Sequence, residues 1–98
     1  MKRDVYHPLA AKELIESSLF YEQRRRFLGD EFITAVEKTI RKISANPLHG
    51  RIEKLRARSY KVERFPFRVV YQVQTDRIWI VAVAHLSRRP GYWRKRLS

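Results

Sequence analysis

Cysteine is absent from these 98 residues. A chain without thiols has neither the disulfide framework that supports small secreted folds nor a thiolate metal site. Long apolar runs are missing too: the longest, Ile78 to Ala84, falls far short of the roughly 18 residues that a membrane span requires. No apolar leader follows Lys2 and Arg3, so the expected location is cytoplasmic, away from any membrane. Acidic residues are scarce in one half only. Residues 1–48 carry nine Lys/Arg against seven Asp/Glu, whereas residues 49–98 carry thirteen against three. The net charge of +12 therefore belongs mainly to the second half, which attracts a polyanion or an acidic protein partner where it does not simply solubilise the surface. Fifteen of the 22 cations are Arg, whose planar fork suits phosphate better than the Lys point charge does.

The length sets the scale of what remains. A chain this short wraps one modest core, so residues 1–98 are read as a single domain. Val5 and Tyr6 before His7-Pro8 suggest a short strand, because the residue ahead of Pro avoids the helical region and Pro itself suits a first helical turn. From Pro8 to about Arg25, Ala11, Leu14, Ile15, Ser18 and Tyr21 recur at spacings of three and four and predict a helix. Gly29 and Asp30 interrupt it. Asp30 is the expected cap of a second helix with the stripe Phe32, Ile33, Val36, Ile40 and Ile43, ending at Asn46-Pro47. The two should pack as an antiparallel hairpin, with Arg24-Arg25-Arg26 as a solvated turn between them.

After Gly50 the period becomes two. Tyr60 to Phe65, Phe67 to Val73 and Ile78 to His85 read as a three-stranded meander with turns at Phe65-Pro66 and Thr75-Asp76. Tight turns would pair Val73 with Ile78, Tyr71 with Ile80, Val69 with Ala82 and Phe67 with Ala84, on an apolar face that receives the helices. The opposite, half-polar face would carry Lys61, Glu63, Arg68, Val70, Gln72, Trp79, Val81, Val83 and His85, with Glu63 opposite Arg68 and His85 one diagonal away. A carboxylate, an Arg and a His on a basic surface can cleave RNA without a metal: base, phosphorane stabiliser and acid. A cross-strand ion pair and a strand-end histidine would look the same. His7, His49 and His85 show no metal-ligand spacing, and neither a metal nor another cofactor is expected. Lys54, Arg56, Arg58 and Lys61, with Arg88 and Arg89 beside Tyr92, are the expected contacts to nucleic acid; the tail from Leu86 to Ser98 either stacks bases on its aromatics or covers the core as a short helix.

Four segments in order carry a resemblance: Val5-Tyr6-His7-Pro8 with Ala11; Ile43-Ser44-Ala45-Asn46-Pro47; Arg64-Phe65-Pro66-Phe67-Arg68-Val69-Val70-Tyr71; and Ala82-Val83-Ala84-His85 with Arg88-Arg89-Pro90-Gly91-Tyr92-Trp93. With them the chain resembles the RelE/ParE superfamily of type II toxins. The resemblance implies an α+β fold, a curved antiparallel sheet with a helical hairpin on one face and a short C-terminal helix, and an antitoxin partner that wraps it. RelE-like members cleave mRNA on the ribosome, and ParE-like members inhibit DNA gyrase without chemistry. The residues of the chain favour the first activity. The resemblance places Arg68 at the family's transition-state arginine and His85 near the catalytic histidine of YoeB-like members, and it makes Glu53, in Gly50-Arg51-Ile52-Glu53-Lys54-Leu55, a rival to Glu63 as base.

Overall fold

The computed structural model describes residues 2–97. Its elements are β1 (Arg3–Tyr6), α1 (Pro8–Arg24), α2 (Leu28–Ala45), β2 (Arg51–Ile52), β3 (Ala57–Lys61), β4 (Phe67–Val73), β5 (Arg77–His85) and a 3-10 turn at Arg94–Leu97. The five strands form one mixed sheet in the order β1-β5-β4-β3-β2. Only β1 runs parallel to its neighbour, β5, with Val5 beside Trp79. The fold class is α+β as expected, with the short N-terminal strand in the sheet; the sheet is mixed rather than antiparallel, because β1 runs parallel to β5, and the two-residue β2 on β3 is an addition to the expected strands.

The helices form as the periodicity predicts, with one change at their junction. Phe27, in the left-handed region at φ 68°, is the N-cap of α2, so Gly29 and Asp30 lie inside the first turn rather than before it. Asp30 does not cap the helix. The Glu22 carboxylate of α1 does, accepting from the Phe27 N–H at 2.9 Å and the Gly29 N–H at 3.0 Å, which satisfies amide donors that a helix start leaves open. Asp30 and Glu31 in that turn still complement the helix dipole. On α1, Ser18 and Ala10 are buried and Leu14 and Tyr21 pack on the core, but Ile15 is 57% exposed. On α2, Phe32, Val36, Ile40 and Ile43 pack against Phe67, Val69, Tyr71 and Ile80 of the sheet.

The register of β4 on β5 begins as expected, with Val73 opposite Ile78 and Tyr71 opposite Ile80. It then slips at a bulge: Val70 pairs with Ala82, leaving Val81 as the extra residue. Val69 therefore faces Val83, not Ala82, and Phe67 faces His85, not Ala84. One extra residue exchanges the faces of everything beyond it. Val83 joins the helix-side core, while Ala82 and Ala84 join Val70, Val81, Ala57 and Trp93 in a second apolar cluster on the other face. That outer face is covered by the C-terminal tail. Among the described residues no helix is long and apolar enough to cross a membrane.

Candidate functional site

The bulge decides which side chains can meet. Paired with Phe67, His85 leaves the sheet on the helix side, its ring 5.0 Å from that of Phe67. The Ser87 backbone N–H donates to its Nδ1 at 2.9 Å, and the Ser87 hydroxyl lies 2.8 Å from the same nitrogen. The expected convergence of Glu63, Arg68 and His85 on one face does not occur. Glu63 departs for a separate reason: β3 ends at Lys61, which is itself the partner of Arg68, and the chain turns through Arg64 at φ 72° before Pro66. This wider connection carries Glu63 to α2, where Lys42 donates to it at 2.7 Å. Its carboxyl, held below the ordinary range chiefly by that bond, forms a surface ion pair.

Glu53 and Arg68 do come together, through Ser59. Strand β2 is brief because the hairpin turns at once through Leu55 and Arg56, both at positive φ, with the Ala57 N–H donating to the Lys54 carbonyl at 3.0 Å. The turn brings Glu53 back over β3. Its Oε2 accepts from the Ser59 hydroxyl at 2.5 Å and from Arg51 Nη2 at 2.9 Å. Arg68, one strand over, donates from Nε to the Ser59 hydroxyl at 2.8 Å and from Nη2 to the Ser59 carbonyl at 3.3 Å. Burial alone would raise the Glu53 pKa; the Ser59 hydroxyl and Arg51 outweigh it and hold the carboxyl below its ordinary value. Burial lowers the Arg68 pKa, and so does the nearby Arg51 charge. A carboxylate held this firmly as an anion by two donors is a weak proton acceptor.

The other residues expected at a nucleic-acid contact divide by what already holds them. Arg58 donates to the Leu48 and Gly50 carbonyls at 3.0 Å each, and Lys61 donates to the Val62 and Phe65 carbonyls at 2.7 Å each, so both brace loops. Lys54, Arg56, Arg88 and Arg89 are exposed. Tyr92 is committed elsewhere. Its hydroxyl donates to Glu13 at 2.6 Å, and Arg88 lies 3.9 Å above its ring. Burial and the Glu13 carboxylate push that hydroxyl well above its ordinary range. Trp93, only 4% exposed, packs in the outer cluster; of the two fates expected for the tail, covering the core is the one seen, through a 3-10 turn.

Glu13 was absent from the sequence-based site, yet it organises the tail. Its carboxylate accepts from Arg96 Nη1 at 2.9 Å, Arg96 Nη2 at 3.0 Å, the Tyr92 hydroxyl and the Val83 N–H at 3.0 Å. The last of these is a β5 amide two residues past the bulge, beyond the reach of β1. No local signal marks this partnership, because Glu13 and Arg96 stand at opposite ends of the chain. Among the described residues, no three His, Asp or Glu side chains are grouped so as to hold a metal ion.

The model of the family described as the ParE toxin of the type II toxin-antitoxin system parDE matches residues 5–90. The chain belongs to the ParE toxin family. As a type II toxin it has a cognate antitoxin as partner. Its fold is similar to that of a chain in the chromosomal ParDE system from P. aeruginosa, with a TM-score of 0.65 over 87% of this chain and 96% of that one, at 22% identity. No curated protein matches.

Proposed function

We propose that this ParE-family toxin arrests growth as a non-enzymatic inhibitor of DNA gyrase. The observation that carries the reading is how the expected nuclease groups are engaged: Glu63 lies on α2, Glu53 is held as an anion by Ser59 and Arg51, and His85, although it lines one concavity with Glu53 and Arg68, sets its ring against Phe67 and its Nδ1 against Ser87. Acid–base cleavage needs a base free to accept the 2′-hydroxyl proton and an acid on the opposite side of the phosphate. The family match supports the same conclusion and fits gyrase better than ribosome-dependent mRNA cleavage. A second reading rests on one observation, the contact of Arg68 and Glu53 with a shared Ser59 hydroxyl, which would let those two residues serve an RNA-cleaving site in the cytoplasm.

The two readings separate in one experiment. The chain is induced alone in bacterial cells, and both DNA breaks and the 5′ ends of mRNA are mapped at growth arrest. Gyrase inhibition predicts persistent DNA breaks and loss of supercoiling by purified gyrase when the purified toxin is added, with intact mRNA. New mRNA ends inside translated codons, lost in Arg68→Ala, would transfer the assignment to cleavage.

A further inference from the structure

The Glu53–Ser59–Arg68 network is one wall of a concavity of about 130 Å³ between the β2–β3 hairpin and the turn after β5. Arg51, Arg68, Arg88 and Arg89 line it with His85, and among the described residues Glu53 is its only acid. Glu53 is already neutralised by Arg51, so a positive excess faces the hollow. Arg68 spends Nε and Nη2 on Ser59, and its third nitrogen has no hydrogen-bond partner among the described residues; Arg89 has none for its side chain. Holding Arg51 near a half-buried Arg68 costs free energy, which an anion between them would recover.

We propose that this concavity is a phosphate site that grips the backbone of a nucleic acid without reading its bases. Three features select the ligand. The hollow is smaller than the roughly 300 Å³ at which small-molecule sites begin, so it accepts a group rather than a whole ligand. Guanidinium forks match the tetrahedral oxygens of phosphate. Exposed Lys54 and Arg56 continue the positive strip along the hairpin beyond one phosphate's reach, as a polymer requires. Base stacking on the aromatics is blocked: Trp93 is buried, and Arg88 covers the Tyr92 ring. The groove beside α2 contrasts with it, since Lys38, Lys42 and Arg64 there are balanced by Asp30, Glu31 and Glu63. The site does not depend on which enzyme the toxin inhibits, and its test is a binding measurement that reads neither gyrase nor mRNA.

The test uses the full-length purified toxin, two short labelled DNA duplexes of unrelated sequence, and fluorescence anisotropy over a salt series. The double variant Arg51→Gln/Arg89→Gln is compared with Arg24→Gln/Arg26→Gln, which removes the same charge from the helix junction. The expected result is about tenfold weaker binding of both duplexes by the first variant, with the salt slope reduced by about two, and little change in the second. Arg89→Gln alone, at a side chain with no partner to lose, gives a smaller loss in the same direction and guards against misfolding of the double variant. Equal losses in both double variants would reduce the site to diffuse charge. Inorganic phosphate that shifts the arginine side-chain NMR signals while neither duplex binds would make it a free-anion site; either outcome overturns the proposal.

Discussion

Single residues carry two of the clearest consequences. Glu53 has a pKa below its ordinary 4.5, so its contribution to stability is complete above that pH and is lost as the pH falls through the lowered value. Glu53→Gln should therefore destabilise the toxin at neutral pH, with the difference from the parent shrinking in acid; urea unfolding across a pH series measures it. Gly29 tests close packing. A Cβ there would run into the Ser18 carbonyl of α1, so Gly29→Ala should cost about 1–3 kcal/mol despite alanine's better helix propensity, read as a lower urea midpoint. The sequence announces Gly29 as a residue but not its reason, because the close approach exists only once the helices have docked. Arg68 was legible as the charged member of an alternating strand, whereas its Ser59 partner carried no signal of its own.

At the scale of elements, periodicity was a good guide wherever polar residues marked the faces. α2 and β4 fall where the pattern places them, as do the first residues of β5. The bulge was invisible for a physical reason: Ile-Val-Ala-Val-Ala is apolar at every position, both faces of β5 are buried, and nothing polar identifies Val81 as the additional residue. The misplacement of His85 follows from that one slip. The tail is the other element that local pattern could not place, since its anchor is Glu13 on α1. The Arg96–Glu13 pair is 11% and 15% exposed, so Glu13→Ala should cost about 3 kcal/mol by leaving a buried guanidinium uncompensated. The Glu13→Ala/Arg96→Ala double variant should cost less than the two single variants summed, measured by the same unfolding assay. Native-state hydrogen exchange should also show the Val83 amide losing protection in Glu13→Ala, since the carboxylate is its acceptor.

Across the whole molecule, the two faces of one sheet divide the labour. The helical hairpin fills one face, and the tail with the arginine-lined hollow occupies the other. The excess of cations in the second half of the sequence was the visible sign of this arrangement, although it could not show that Arg58, Lys61 and Arg96 are spent on internal bonds. The parallel pairing of β1 with β5 has a consequence for biosynthesis. The first strand to be made has no neighbour until the fifth has been translated, and the apolar stripe of α2 waits for β4 and β5 in the same way. A chain that stops before β5 cannot close its sheet and leaves the apolar stripe of α2 open, so interrupted synthesis yields a substrate for proteases rather than a folded domain.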